Sequence, residues 1–410
     1  MGGHVSKRAI ALAIVICTTG GRALAIPAFA RRYQTACTTC HVLPPQLNSQ
    51  GQAFRANGFR MPSGEGRRQD ADVQLGAPEW EGLFPNAFLP GTIPDSAPLA
   101  GLVYASVGAE HGREKTEETT LILGLLSAGN LGRRASWFAA GGFGPEGAAI
   151  ERMWLSFDRL AGLWLNVRAG YLEAAVVPFS RYTHKLSYEG YLPFEAIGPA
   201  GLALSASRTA VEIFGAGSDP GPLRGLQYTL GLAARPATGG LAADGYGRVS
   251  YKFGGIAAAG DQSGEPGRLA PAIAPLDETS LRVGGFLYRA TLSGPESRPG
   301  GWRAGADVDL RAGRIEAFAS AWAGGDRAAG SAPEDSSWAY LVGASVRPFP
   351  WLMVIGRYEA GWTAQIAADR RLVATLRAAL QQNVAVTADL IVQTPHADTT
   401  ETVGSLFVAF

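Results

Sequence analysis

The sequence predicts an all-β transmembrane barrel of about sixteen antiparallel strands, preceded by a small N-terminal domain with a short helix. Three observations predict this fold. Charged residues make up 17% of the chain, below the roughly 25% that is usual in soluble domains. Glycine is abundant, at 54 residues. From about residue 98 onward, segments of about 9–13 residues alternate apolar and polar side chains, as strands that cross an outer membrane do.

Residues 1–25 have the features of a cleaved secretory signal. Lys7 and Arg8 give a basic start, a short apolar run follows, and a small-x-small cleavage site ends the segment. The apolar run is too short for a membrane anchor, which takes about 20 residues. Cleavage leaves Cys37 and Cys40 as the cysteines of the mature chain. Export is consistent with assembly in a bacterial outer membrane.

The run Cys37-Thr38-Thr39-Cys40-His41 predicts a site of covalent haem attachment. The thiols of Cys37 and Cys40 would form thioethers to the haem vinyl groups, and His41 would bind the iron axially. A thioredoxin-like redox pair should lie beside a βαβ pattern, which the sequence lacks. A zinc site needs further cysteine or histidine ligands nearby, and none follows. The sequence therefore predicts one haem c.

The second axial ligand stays open between several residues. Met61 is the leading candidate because it follows the predicted helix, and a thioether opposite histidine raises the reduction potential. A methionine here could equally be a core residue. An open site is a further alternative, and three histidines of predicted outer loops remain candidates: His111, His184 and His396.

Residues 26–97 form the predicted haem domain. A helix is expected to begin near Pro44-Pro45, since proline suits a first turn, and to end near Gly58. Four of its residues fall on one face that could lie against a porphyrin: Leu47, Gly51, Phe54 and Gly58. The alternative is an ordinary amphipathic helix that packs on protein. A sixteen-stranded barrel leaves a lumen wide enough to hold such a domain.

Residues 98–410 form the predicted barrel. Apolar residues such as Trp302 and Leu310 alternate with charged ones, short turns alternate with longer loops, and the chain ends on an aromatic residue, Phe410. The connection Glu173–Ala203 falls on the outer side. The long connection Gly260–Glu278 falls on the periplasmic side, so either a strand is miscounted there or that loop is unusual. A soluble β-sandwich would also alternate.

Two groups of polar residues carry weaker expectations. Lumen-facing charges could hold the haem domain or bind ions, but a solvated pore wall is the preferred interpretation: Arg303, Asp307, Asp309, Arg357 and Glu359. Residues of the long outer loop could contact an external electron donor, but an ordinary ordered loop is preferred: Tyr182, His184, Tyr188 and Glu189. A net charge of +1 gives no indication of nucleic-acid binding.

Residues 26–61 resemble the fused outer-membrane monohaem cytochrome–porins. The shared features are a Pro-Ala-Phe-Ala-Arg segment at residues 27–31, the single Cys-x-x-Cys-His, and a post-haem segment with Leu47-Asn48, Gly51, Phe54 and Asn57-Gly58-Phe59. The resemblance implies haem attached at Cys37 and Cys40 with His41 axial. It also implies electron transfer from extracellular Fe(II) to a periplasmic cytochrome or other redox carrier, a ferrous iron:cytochrome oxidoreductase activity.

Three other functions remain alternatives. The first is a porin or transport barrel whose haem domain is a plug or redox sensor. The second is an outer-membrane cytochrome that exports electrons. The third is a soluble periplasmic c-type cytochrome with a β-sandwich domain. No nucleophile–base pair or carboxylate cluster in the sequence indicates a catalytic residue.

Overall fold

The computed structural model describes fourteen stretches of the chain, and all structural statements below refer to them: 28–33, 35–64, 72–75, 91–94, 98–111, 116–131, 134–195, 202–237, 240–263, 276–290, 300–327, 335–363, 366–394 and 399–409. The predicted signal at 1–25, His396 and Phe410 lie outside these residues. Within them, no helix is both long and apolar enough to cross a membrane.

The N-terminal part begins with short elements. Helix α1 is followed by a 3-10 turn at Cys37–Thr39, a two-stranded hairpin and helix α2. Two further short strands pair with each other. The elements are α1 Ala28–Tyr33, β1 His41–Leu43, β2 Gln46–Leu47, α2 Ser49–Ala56, β3 Asp72–Leu75 and β4 Gly91–Pro94.

Sixteen antiparallel strands then close into one barrel, as predicted. Neighbours in sequence pair with each other, and the last strand pairs with the first to close the ring. The short strand β9, Leu160–Leu163, lies outside the ring. The barrel strands are β5 Leu99–His111, β6 Thr116–Leu131, β7 Ala135–Gly144, β8 Gly147–Phe157, β10 Asn166–Glu173, β11 Ser207–Ala216, β12 Leu226–Ala237, β13 Gly240–Gly254, β14 Thr279–Ala290, β15 Gly300–Ala312, β16 Ile315–Arg327, β17 Asp335–Phe349, β18 Leu352–Thr363, β19 Ile366–Gln381, β20 Val384–Thr394 and β21 Thr399–Ala409.

The outer surface of the barrel is apolar, because alternate side chains of each strand point outward. Along β6, for example, Leu121, Leu123 and Leu125 are all exposed on this surface. A soluble protein rarely exposes apolar patches of this extent. The inward-pointing residues of β15, by contrast, are charged and buried, with Arg303, Asp307 and Asp309 among them. The predicted inside–outside alternation is confirmed, and the β-sandwich alternative does not hold.

Helix α2 differs at its start from the prediction. Pro44 and Pro45 form the turn between β1 and β2 instead of a first helical turn. The helix begins at Ser49, where the side chain of Asn48 accepts a hydrogen bond of 2.9 Å from the Gly51 amide. An asparagine cap satisfies an amide that would otherwise lack a partner. The predicted end is close to the observed one, with Gly58 at a φ of 66° just beyond the last turn.

Strands β13 and β14 pair directly, and the described residues between them hold no further barrel strand, so the connection Gly260–Glu278 is an unusual loop in its described part. It lies at the barrel end where β5 begins, which we call the near end, and the Gly313 amide of the β15–β16 turn donates to the Glu278 carbonyl there. Its described residues pack on the N-terminal segment. The Asn57 side chain donates a hydrogen bond of 2.8 Å to the Ala259 carbonyl. The loop therefore helps hold that segment at the barrel end.

Residues 174–195, which follow β10, fold into the lumen, and we call them the inward loop. Phe179, Tyr191 and Phe194 of this loop are buried. The indole of Trp322 on β16 donates a hydrogen bond of 2.7 Å to the Pro193 carbonyl. The inward loop thus occupies part of the space that the sixteen strands enclose.

Candidate functional site

Residues 35–64, which we call the lumen segment, lie inside the barrel. Inward-facing residues of strands on different sides of the ring hold it. Lys252 of β13 bonds to Ser49 at 2.7 Å, Arg282 of β14 to Gln52 at 2.9 Å, and Glu316 of β16 to Gln46 at 2.6 Å. Arg377 of β19 donates to the Pro44 carbonyl. Contacts to such widely separated strands require the segment to be enclosed by them.

A buried ion pair fixes the end of the lumen segment. The Arg60 guanidinium contacts the Asp158 carboxylate at 2.8 Å, just after β8, and donates a second bond of 2.8 Å to the Ala135 carbonyl. Gly58 lies directly against the same carboxylate and leaves no room for a side chain. This pair closes the described lumen segment against the near end of the barrel.

A mostly apolar cavity of about 790 Å³ lies between the lumen segment, the inward loop and one side of the barrel. Ligand pockets commonly have volumes of about 300–1,000 Å³. Cys37, Cys40, His41 and Met61 all line this cavity. The structure therefore brings all four predicted haem-site residues to one space.

Local hydrogen bonds fix the conformation of the Cys-x-x-Cys-His run. The Cys40 amide donates to the Cys37 carbonyl at 3.2 Å, and the Asn48 side chain bonds the carbonyls of Thr38 and Thr39 at 3.0 and 3.1 Å. Gly51 of α2 lies against the Cys40 carbonyl, and any Cβ there would collide with it. The helix thus packs on the motif through a glycine, and Asn48 joins the two.

Both thiols are free, and the buried imidazole of His41 is held in its neutral form. Burial raises the pKa of Cys37, and burial together with the neighbouring thiol raises that of Cys40 to about 12. Burial lowers the pKa of His41 to about 4, although the backbone of Pro45 and Gln46 opposes the shift. Its Nδ1 atom is buried and forms no well-aligned hydrogen bond with the described residues. A neutral imidazole is the form that binds metals.

Among the candidates for the second axial ligand, Met61 shares the cavity with His41. It is 1% exposed. His184 is buried in the inward loop, bonded to Tyr191 at 2.7 Å, and does not line the cavity. His111 lies at the exposed end of β5. Met61 therefore remains the candidate second axial ligand, while packing of its side chain in the core remains the alternative.

One side of the lumen has an apolar inner face, which we call the apolar wall: Leu102, Ile122, Leu126, Phe138 and Trp154. Phe59 of the lumen segment stacks on Trp154 with ring centroids 5.5 Å apart. Leu47, Gly51 and Phe54 face the cavity as predicted, whereas the fourth residue of that face, Gly58, does not. Two thiols, an imidazole, a thioether and an apolar wall are a set of groups that fits a covalently held haem.

The opposite side of the lumen has a charged inner face, which we call the charged wall: Arg248, Arg282, Arg303, Asp307, Asp309, Asp326, Arg357 and Glu359. The preferred interpretation of a solvated pore wall is wrong for the five residues named from the sequence, because all five are buried: Arg303, Asp307, Asp309, Arg357 and Glu359. Arg357 donates to Ser187 at 2.6 Å, and Glu359 accepts a bond of 3.1 Å from the Leu192 amide. The charged wall therefore holds the inward loop and, through Arg282, the lumen segment.

The residues of the predicted outer loop are also placed differently. His184 lies 3.3 Å from Glu316, deep in the lumen, and the Thr183 carbonyl accepts a bond of 2.8 Å from the Leu47 amide. Tyr182, Tyr188 and Glu189 line the cavity. The loop therefore contacts the lumen segment, which neither interpretation of the sequence foresaw.

Sequence reasoning missed several cavity residues, including Arg55, Arg152 and Trp154. A signal for the wall itself was present. The run Leu121-Ile122-Leu123-Gly124-Leu125-Leu126 lacks the polar alternation of the other strands, so its inner face is apolar as well as its outer face. A barrel strand that is apolar on both faces indicates something apolar inside.

The known structures that are similar to this protein match its barrel. No family model and no curated protein matches the sequence. An anion-selective porin from Comamonas acidovorans has 14% identity and a TM-score of 0.56, over 76% of this chain and 98% of that one. OprB of Pseudomonas putida has 10% identity and a TM-score of 0.53, over 83% and 99%. OmpF of Salmonella typhi, in complex with daunomycin, has 10% identity and a TM-score of 0.53, over 76% and 97%.

These likenesses concern the fold alone, since the identities are low. They agree with the closed ring of sixteen antiparallel strands seen here. The described residues between 98 and 409 thus have the barrel fold of outer-membrane porins.

Proposed function

We propose that this protein transfers single electrons across the bacterial outer membrane, through one haem attached at Cys37 and Cys40 inside a porin-like barrel. The electrons come from an extracellular donor, and periplasmic carriers receive them. One observation carries the proposal: both thiols, His41 and Met61 line a single apolar cavity in the lumen. The resemblance of residues 26–61 to cytochrome–porins makes Fe(II) the proposed donor.

The location follows from the outer surface of the barrel. Leucines, valines and aromatic residues are exposed around the ring, and in water they would favour aggregation. A closed barrel satisfies every backbone group inside lipid. The porin fold and the predicted signal at residues 1–25 support the outer membrane and export into it.

Each site residue has a defined task. The Cys37 and Cys40 thiols would hold a haem through thioether bonds to its vinyl groups. An imidazole nitrogen of His41 and the thioether of Met61 would hold the iron. The apolar wall excludes water from the cavity. A haem held in this way supplies one-electron chemistry.

The direct test is anaerobic mixing of the purified protein with Fe(II). We expect the reduced haem spectrum to appear in the wild-type protein. C37S/C40S is the control, and it should show no haem signal while it still assembles as a barrel. Oxidised haem that Fe(II) fails to reduce would exclude iron as the donor. Wild-type protein without covalent haem would overturn the proposal.

The direction of electron flow is tested by a separate experiment. Protein inserted in one orientation into vesicles separates an outer donor from an inner acceptor, for example Fe(II) outside and a soluble ferric cytochrome c inside. Inward transfer predicts reduction of the enclosed cytochrome. Reduction of an external acceptor by an enclosed reductant, with no inward transfer from Fe(II), would instead support an exporting cytochrome.

A transport barrel with the lumen segment as plug or redox sensor is the second candidate. The comparisons favour it, because the matched structures named above are porins. Conductance in a planar bilayer separates the two. Electron transfer does not require an open pore, and the lumen segment and the inward loop fill part of the lumen, so wild-type protein should conduct little. Large, stable conductance by wild-type protein that carries no haem would favour the transport barrel.

A further inference from the structure

Two arginines face the cavity without an anionic partner. Arg55 of α2 and Arg152 of β8 both line it, and neither guanidinium forms an ion pair or a well-aligned hydrogen bond with the residues that the structure describes. The nearby Arg168 is different, because its guanidinium pairs with the Glu212 carboxylate at 2.9 Å. Buried arginines are normally paired, since an unpaired buried charge is costly.

The guanidinium of Arg152 contacts two aromatic rings. Its guanidinium carbon lies 3.5 Å from the centroid of the Tyr182 ring and 4.8 Å from that of Phe138. The residue is only 9% exposed, and its Nε atom is buried without a hydrogen-bond partner. Stacking fixes the plane of a guanidinium while its N–H donors point outward along that plane. The donors are therefore available to an acceptor in the cavity.

Arg55 lies close to the Cys-x-x-Cys-His run. It follows Gly51, which touches the Cys40 carbonyl, by one turn of α2, or about 6 Å along the helix axis. Burial, with repulsion from Arg168 and Arg152, lowers the pKa of Arg55 to about 9. Positive charge is thus in excess near the motif.

The nearby carboxylates that the structure describes do not form an ion pair with either arginine. Glu212 is taken by Arg168, and Glu173 accepts a hydrogen bond from Ser180. Glu151 lines the cavity and lies near Arg152, but it forms no ion pair with it within the described residues. No carboxylate among the described residues therefore lies within ion-pair distance of either guanidinium.

We propose that Arg55 and Arg152 bind the two propionate carboxylates of the haem that is attached at Cys37 and Cys40. This assignment rests on the proposed function. Arginine is suited to the task because its planar fork matches a carboxylate with two parallel hydrogen bonds. The pair would orient the porphyrin in the cavity and would raise its reduction potential, because positive charge favours the reduced iron.

The test is a redox titration of the haem-loaded protein, followed by its absorption spectrum. R55Q and R152Q each remove one positive charge. We expect each to lower the equilibrium constant for reduction about tenfold, which for one electron is about 59 mV. R152K keeps the charge and should retain most of the potential, so it remains informative if R152Q assembles poorly. R224Q/D219N removes an exposed ion pair outside the cavity and should leave the potential unchanged.

A free anion could occupy the same arginines, and inorganic phosphate distinguishes the two sources. Propionates already bound there predict that millimolar phosphate leaves the wild-type potential unchanged. A potential that moves with phosphate, or unchanged potentials in haem-loaded R55Q and R152Q, would overturn the assignment alone. Absence of covalent haem from the wild-type protein would overturn the proposed function as well.

Discussion

The two sides of the lumen differ in the partners that their inward-facing side chains have. The buried residues of the charged wall pair with one another, as Arg303 and Asp326 do at 2.7 Å with neither side chain exposed. The residues of the apolar wall have no such partners on their inner side, since Ile122, Leu126 and Phe138 face a cavity of about 790 Å³. The charged wall therefore acts as a mount for the inward loop and the lumen segment. The apolar wall has the character of a binding surface.

This difference separates stability from function. Loss of one partner from a fully buried ion pair strongly lowers the free energy of unfolding. Substitutions in the charged wall should therefore have the largest effects on folding. Residues that border a cavity have fewer packing partners to lose. Substitutions on the apolar side should therefore alter the haem more than the barrel.

The largest expected effect concerns the motif on the apolar side. C37S/C40S should lose all covalently bound haem, because no thiol remains to form a thioether. The barrel should still assemble, since neither residue contacts the charged wall. Haem staining after denaturing electrophoresis measures the first expectation, and the mobility shift of the unheated barrel measures the second. Retained covalent haem would refute the attachment sites.

The second effect concerns the charged wall. R303M should lower the free energy of unfolding by about 3–5 kcal/mol, because it leaves the Asp326 carboxylate buried without its partner. Urea unfolding followed by tryptophan fluorescence measures the change. R303M/D326L removes both charges and should recover most of the loss. A single variant as stable as the wild type would show that the pair does not support the lumen.

The third effect compares a leucine on each side. L126A on the apolar wall should cost about 1 kcal/mol, because Leu126 borders the cavity. L341A on β17 should cost about 2–5 kcal/mol, because Leu341 is 1% exposed and fully packed. The same urea titration gives both values. Equal losses would contradict the contrast between the two sides of the lumen.

The smallest effect lies outside both walls. Arg224 and Asp219 pair at 2.5 Å, and about a third of each side chain is exposed, 34% and 31%. Such pairs contribute about 0–1 kcal/mol. D219N should therefore shift the urea midpoint little, and less at high salt. A loss as large as that of R303M would mean that exposure does not decide the value of these pairs.

The barrel could be predicted from the sequence in some detail, because the alternation of side chains is a local property. The strand count, the short turns and the outward faces of β15 and β19 were all predicted. The start of α2 was not. Two prolines suggested a first turn, but the pairing of His41 with Leu47 across β1 and β2 places them in a hairpin instead.

The contents of the lumen depend on contacts between residues far apart in sequence. Glu316 meets both Gln46 and His184, at sequence separations of 270 and 132 residues. No local pattern reveals that the inward loop turns into the barrel to meet the lumen segment. For the same reason, the charges of β15 and β18 were expected in solvent and are buried. The chemistry of the motif was readable, but its surroundings were not.

The ratio of haem to protein in barrels purified from outer membranes tests the proposal most directly. One covalently bound haem per folded chain is the result that we expect, with a low-spin spectrum that requires His41. Fully folded barrel that was purified from a host able to attach c-type haem, and that contains no covalent haem, would contradict the proposal.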